Sequence, residues 1–238
     1  MPEEKNQRSL VDLALEEENK SHTGRLKAVI LAGGKGTRAR PFTDYFPKAM
    51  IPINGKPMIV HTIKHISSFD LISEIIIVCD LKGFGGQIKN YFEKSKKIKF
   101  VQDSASGTAG DLSHLSGMIK NESFFLWFAD NLCALDMKKM YKQYSDKKSL
   151  ACIATRMFRK EETGFASVKN GIVEQFIEKP IIKMENLECT GIYVLSSKIL
   201  DIIKSKTKKN LNLSYDVLQD LSKKGMVSSF DIGKAPWV

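Results

Sequence analysis

The chain has 238 residues, 42% of them hydrophobic and 27% charged, with a formal net charge of +10. This is the composition of a globular domain large enough to bury a core without disulfides or a structural metal. It excludes a membrane-spanning helix, since no apolar run approaches the roughly 18–20 residues a bilayer requires, and a cysteine-pair scaffold, since Cys79, Cys133, Cys152 and Cys189 stand far apart.

Each cysteine sits in or beside an apolar run and reads as a small buried hydrophobe in a reducing compartment. With no secretory h-region near the N-terminus, the expected location is cytoplasmic. The lysines are scattered over many short stretches, such as Lys94–Lys99 and Lys204–Lys209, and are not interleaved with aromatics. A surface that stacks single strands needs those aromatics. The charge is therefore read as solvated faces, with no specific nucleic-acid or membrane partner.

Residues 1–25 are polar around one helical patch, "LVDLALEEE", and read as an N-terminal extension, flexible or a single helix. From residue 26 to 238 the pattern is that of one domain. "KAVILA", "SEIIIVC", "KIKFVQ", "SFFLWFA" and "LACIAT" are short apolar runs rich in β-branched and aromatic residues. Amphipathic stretches at Lys56–Phe69, Phe84–Lys94 and Met137–Tyr144 alternate with them. That alternation predicts an α/β fold, a mostly parallel sheet flanked by helices. Beyond Thr155 the style changes. "FASVKNGIVEQFIEKP" reads as a hairpin turned at Asn170–Gly171. A strand at Cys189–Leu195, helices at Ser197–Ser205 and Tyr215–Lys224, and a strand at Met226–Ile232 complete the chain.

The informative loop is "VILAGGKGTRARPFTDYFPKAMIPINGKP", which leaves the first strand at the sheet edge where open α/β folds bind ligands. A P-loop pattern is absent. A formal GxGxxA match at Gly34, Gly36 and Ala39 lacks the immediate helix of a dinucleotide site, because Pro41 and Pro47 keep the chain irregular. The better reading is a glycine nest. Gly33, Gly34 and Gly36 permit positive φ and let N–H groups converge on a phosphate, while Arg38 and Lys48 add full charges. Such a site suits a polyphosphate whose charge rises during reaction. His61 and His65 share a helix face but have no third ligand nearby, so no metal site is expected there.

"LAGGKGTR…PFT…PKAMIPINGKP" closely resembles the signature of the sugar-1-phosphate nucleotidyltransferases, the nucleoside-diphosphate-sugar pyrophosphorylases. "VQDSASGTAGDL", "FFLWFAD", "GFASVKNGIVEQFIEKP" and "CTGIYVLS" continue the likeness in order to about Ser196. The resemblance implies a Rossmann-like, GT-A-like sheet with a small antiparallel extension for the sugar. It also implies Mg²⁺-dependent attack of a sugar 1-phosphate on an NTP, releasing pyrophosphate, and a possible homo-oligomer. By the same resemblance, Arg38, Lys48 and Lys179 are catalytic. Leu31, Ala32, Gly33, Gly34, Gly36, Thr37, Gln102, Gly107 and Thr108 bind nucleotide. Gly164, Glu178 and Thr190 bind sugar, and Asp130 binds the metal. Cys189 departs from the asparagine many relatives carry.

The family closes its metal site with a second aspartate in a W-x-D segment. "SFDIGKAPWV" aligns either with Trp237 as that tryptophan, so that the chain ends just short of the aspartate, or with Asp231 as the aspartate itself. The first spacing is the better one, and it carries the expectation of a trimmed C-terminus or a missing second ligand. A noncatalytic nucleotidyltransferase-like regulatory or binding module is the alternative function.

Overall fold

The computed structural model describes residues 25–120 and 122–237, so the expected N-terminal extension lies outside it except for Arg25. In chain order the strands are β1 (Leu26–Leu31), β2 (Pro52–Ile53), β3 (Lys56–Pro57), β4 (Ile72–Cys79), β5 (Ile98–Gln102), β6 (Ser123–Phe128), β7 (Ala151–Lys160), β8 (Phe165–Lys169), β9 (Ile172–Ile177), β10 (Ile181–Ser196) and β11 (Val227–Asp231). Seven of them form one sheet in the order β11-β7-β10-β6-β1-β4-β5. Strand β10 runs antiparallel to both its neighbours, and the remaining pairings are parallel.

The expected mostly parallel sheet is therefore what the chain forms, and its burial explains the sequence. Val29, Ile76, Phe124 and Leu126 face one core layer, whereas Ala28, Ile30, Ile77, Phe125 and Trp127 face the other. A strand covered on both faces has no polar alternation to show, so it reads as an unbroken apolar run. The helix Met58–Ser67 buries Met58, Ile59, Thr62, Ile63 and Ile66, the spacing of one helical stripe. It begins after the start expected for it, because Lys56 and Pro57 pair with Pro52 and Ile53 around an Asn54–Gly55 turn. The helix Met137–Lys147 is capped by Asp136, whose side chain accepts from the Lys139 N–H, and stops at Lys148 in the left-handed region.

Three further expectations are corrected. Strand β10 extends well ahead of Cys189, because Ile181–Lys183 pair with the end of β7. The final helical stretch opens as a π-type turn, Leu213–Leu218, before the helix Gln219–Lys223. Cys189 is exposed, unlike the other three cysteines. No helix among the described residues is long and apolar enough to cross a membrane.

The chain leaves β1 for β4 and β5 on one side, then returns to place β6 on the other. The carboxyl ends of β1 and β6 thus meet where the strand order reverses, the crevice in which open α/β sheets hold ligands. One wall of that crevice, the helix Gly107–Ser113, is laced to the segment around Leu211. Ala109 N–H donates to the Leu211 carbonyl (2.9 Å), Leu211 N–H to Ser106 (2.9 Å), and Leu213 N–H to Thr108 Oγ1 (2.9 Å). Gly107 makes this possible. Its φ is 84°, and a Cβ there would lie 2.4 Å from both the Leu211 carbonyl oxygen and Asn210 Oδ1. Gly171 has φ 80° but nothing within 4 Å. Gly107→Ala should therefore cost about 3 kcal/mol, combining backbone strain with a backbone clash, and Gly171→Ala about 1 kcal/mol from strain alone. Urea unfolding of the two variants measures the difference, and equal losses would refute the packing role.

Candidate active site

A cavity of about 590 Å³ opens at the junction of β1 and β6. Its floor is Leu31–Gly34, with Gly36, Thr37, Arg38 and Lys48 on one side and Thr108, Asp111, Asp130, Asn131 and Trp237 on the others. Leu31, Ala32, Gly33, Gly34, Gly36, Thr37, Arg38, Lys48, Thr108 and Asp130 were expected from the sequence, and the fold gathers all of them around this one cavity. Ala129 N–H donates to the Leu31 carbonyl (3.0 Å), which keeps β6 and β1 zipped up to the rim.

The glycine loop differs from a simple nest. Of its three expected glycines, Gly36 alone has positive φ, at 61°. The Gly36 carbonyl accepts from Ala39 N–H (2.8 Å) and Thr43 Oγ1 (2.9 Å), so this residue sets the turn that carries Thr37 and Arg38. Gly33 is small for another reason: a Cβ there would fall 1.6 Å from Asp103 Oδ2. Gly34 has open space where its side chain would be.

Cations and carboxylates divide the rim. Lys48 Nζ donates to Asp130 Oδ2 at 2.7 Å, with side chains 38% and 39% exposed. A pair this open contributes at most about 1 kcal/mol, so an arriving ligand can exchange it. Arg40 is held by Asp44 at 3.1 Å, whereas Arg38 has no ion-pair partner among the described residues. Asp130 Oδ1 accepts weakly from Asn131 Nδ2 (3.3 Å), and Asp111 Oδ1 accepts from the Ser104 hydroxyl (2.6 Å) and N–H (3.0 Å). No group of three or more His, Cys, Asp or Glu ligands occurs among the described residues. That donor set fits a cation that takes one or two carboxylates and fills its remaining positions with phosphate oxygens and water, the habit of Mg²⁺.

Other expected residues lie outside the cavity lining. Gln102 is exposed, and its amide donates to Asp80 Oδ1 (3.2 Å) and the Asp103 carbonyl (2.9 Å). Gly107 packs on residues 210 and 211. Thr190 is 1% exposed and its hydroxyl donates to the Ala154 carbonyl (2.9 Å), so it serves the sheet and not the surface assigned to it as a sugar contact. Gly164, Glu178 and Lys179 cluster at the root of the β8–β9 arm. A Cβ on Gly164 would lie 2.8 Å from Glu178 Oε2, and Lys179 N–H donates to the Thr163 carbonyl (3.3 Å). His61 and His65 each place Nε2 2.9 Å from a backbone carbonyl, of Ile53 and Leu135 respectively.

Asp111 and Asn131 were missed as site residues, although each sits beside an expected one: Asp111 one helical turn past Gly107, Asn131 next to Asp130. Trp237 also lines the cavity, whereas Asp231 does not. Asp231 Oδ1 accepts from Gly233 N–H (2.9 Å) at the end of edge strand β11. The indole of Trp237 donates to the Thr190 carbonyl (3.1 Å) and lies 4.1 Å beneath the Arg156 guanidinium, itself paired with Glu188 at 2.7 Å. Nothing local in the sequence marks Arg156, because the contact joins residues 81 positions apart.

Burial raises the Asp103 pKa, and the neighbouring carboxylates Asp111 and Asp80 push it the same way, against the Ala105 N–H bond that lowers it. A carboxyl whose folded pKa is raised holds its proton better in the folded state. Stability from this group is therefore present at low pH and lost as pH climbs through the folded value. Asp103→Asn should raise Tm at pH 7 and change it little near pH 4. An equal shift at both values, in thermal melts, would contradict this electrostatic account.

Residues 27–238 match the family model described as Nucleotidyl transferase. A probable mannose-1-phosphate guanyltransferase from Schizosaccharomyces pombe is 27% identical over 200 residues, covering 77% of this chain and 48% of the relative. A probable glucose-1-phosphate cytidylyltransferase from Bacillus subtilis is 27% identical over 230 residues, 86% of this chain and 87% of the relative. The chain thus spans about half the length of the guanyltransferases it matches and most of the cytidylyltransferase. The structure of an inositol-1-phosphate CTP transferase from T. maritima shares the fold, with a TM-score of 0.66 at 21% identity over 90% of this chain and 89% of that one.

Proposed function

Since the chain belongs to the nucleotidyl transferase family, we propose that it transfers a nucleotidyl group from an NTP to a sugar 1-phosphate in the cytoplasm, giving an NDP-sugar and pyrophosphate. The observation that carries this reading is Arg38: a cation at the rim of a glycine-floored cavity, with no ion-pair partner among the described residues, facing an exchangeable Lys48–Asp130 pair.

The chemistry explains why that arrangement is needed. The attacking group is a phosphate oxygen, already anionic, so the reaction requires no general base. The obstacle is bringing two anions together and spreading negative charge over the transferring phosphoryl group. Backbone N–H groups of the Gly33–Gly36 loop and the guanidinium of Arg38 would hold the nucleotide's phosphates. Lys48, freed from Asp130, would add its full charge to them. Glu178 and Lys179 would grip the hydroxyls and phosphate of the acceptor. Asp130 would hold Mg²⁺, with phosphate oxygens and water completing its shell; when bound, that ion supplies neutralising charge to the phosphates. Thr37, Thr108 and Phe128 line the same cavity and would orient the nucleotide and exclude water.

The test is pyrophosphate release measured across the four NTPs and a panel of sugar 1-phosphates with Mg²⁺. Arg38→Ala should lower kcat/KM for the best pair by about 3 kcal/mol, roughly a hundredfold or more, with the melting transition unchanged. A folded variant with normal turnover would remove Arg38 from the mechanism. A wild-type chain that binds nucleotide but releases no pyrophosphate with any pair would replace the enzyme reading with that of a noncatalytic binding module.

A further inference from the structure

Trp237 lines the cavity, yet its own segment offers little to hold it there. After β11 the chain turns at Gly233, whose φ is 60°, and Gly233, Lys234 and Pro236 are exposed. The anchors come from other elements. Ala134 N–H donates to the Pro236 carbonyl (3.1 Å), Trp237 forms an antiparallel bridge with Cys133, and its indole N–H donates to the Thr190 carbonyl (3.1 Å). That carbonyl is available because β10 is irregular there. Its register with β7 shifts between Cys189 and Tyr193, and its pairing with β6 starts at Ile192. A strand that breaks register beside a cavity re-aims its groups in this way.

One hydrogen bond fixes the edge of an indole but leaves the ring free to roll about that bond. The plane is set by Arg156, whose Cζ lies 4.1 Å over the centre of the Trp237 ring. The Arg156 side chain is only 16% exposed, and a cation over an indole face is held more strongly where water is excluded. Arg156 is itself braced. It stands directly across the β7–β10 ladder from Glu188, and its Nε–H donates to Glu188 Oε2 at 2.7 Å. A planar guanidinium makes that bond with its edge and the stack with its face, which a lysine ammonium cannot do.

The strand order says which half of the cavity this assembly serves. The glycine loop leaves β1, and Asp103, which backs Gly33, follows β5. Trp237 is tied to β10, on the other side of β6. The arm bearing Glu178 and Lys179 grows from the ends of β7 and β10, where Lys160 pairs with Ile181. Arg156 and Glu188 lie on those same two strands, between the arm and the Thr190 carbonyl.

We propose that Arg156 is a positioning residue for the acceptor: braced by Glu188, its guanidinium holds Trp237 as the wall of the cavity's acceptor half. The assignment of that half to the acceptor rests on the transferase reading above.

Three measurements on the full chain test this: KM for the sugar 1-phosphate of the best pair, Kd for its NTP, and tryptophan emission with acrylamide quenching. The chain has two tryptophans, and Trp127 is fully buried, so a change in quenching reports Trp237. Arg156→Ala should raise the acceptor KM about tenfold, the loss of one desolvated cation–π contact. It should leave the NTP Kd unchanged, shift the emission to longer wavelength and increase quenching. Arg156→Lys should fall between the variant and the wild type. The double variant Arg156→Ala/Glu188→Ala leaves no carboxylate unpaired, so it keeps the fold testable if the single variant is destabilised. It should show the same rise in acceptor KM, whereas a return to the wild-type value would make the pair merely structural and overturn the proposal. An unchanged emission, an unchanged acceptor KM, or an equal loss of NTP affinity would overturn it too. If the wild-type chain turns over no pair, the transferase reading falls by itself. Emission and quenching then still decide whether Arg156 holds Trp237: a shift in Arg156→Ala keeps that wall, and no shift removes it.

Discussion

The contact on which the site depends is the 2.7 Å pair between Lys48 and Asp130. It joins the far end of the loop after β1 to the exit of β6, and these two strands are neighbours because the chain reverses its strand order at β1. The pair is half open to solvent, so its value for stability is small. What it does is keep a cation and a carboxylate in opposition at the cavity rim, each ready to meet a partner of its own. A buried version of the same pair would cost several kcal/mol to separate and would close the site to a ligand.

Around that contact the scaffold is rigid where it positions side chains. Most residues of the adjacent central strands β4, β1 and β6 are buried, and Ala129 and Ala32 continue the backbone ladder to the cavity edge, through hydrogen bonds to Leu31 and Val78. Asp130 and Gly33 are therefore fixed by main-chain bonds and not by the loop itself. Trp237 is fixed differently, by its indole bond to Thr190 and by the Arg156 guanidinium above it. This ties the last described residues to β7 and β10, the strands that also carry the arm. The nucleotide side of the proposed reaction is thus built into the sheet, and the acceptor side into strands that leave it.

How much of this could be read beforehand depended on the range of the interactions. The amino-acid order alone determined the strands of the parallel sheet, because a strand covered on both faces must be apolar throughout. It also determined the Asn170–Gly171 turn, because both residues take positive φ there, at 51° and 80°. The linked run from Leu31 to Lys48 was legible because one loop carries it, and Asp130 because a carboxylate at the end of a buried strand is conspicuous. Tertiary structure alone decided why Gly33 must be glycine, since Asp103 arrives from β5, seventy positions later. It decided that the Thr190 hydroxyl turns inward to Ala154, that Gln102 bonds to Asp80 and Asp103 instead of lining the cavity, and that Arg156 reaches Trp237. Among the described residues it also left the β8–β9 arm exposed on both strands, a burial that the local pattern of the hairpin does not state.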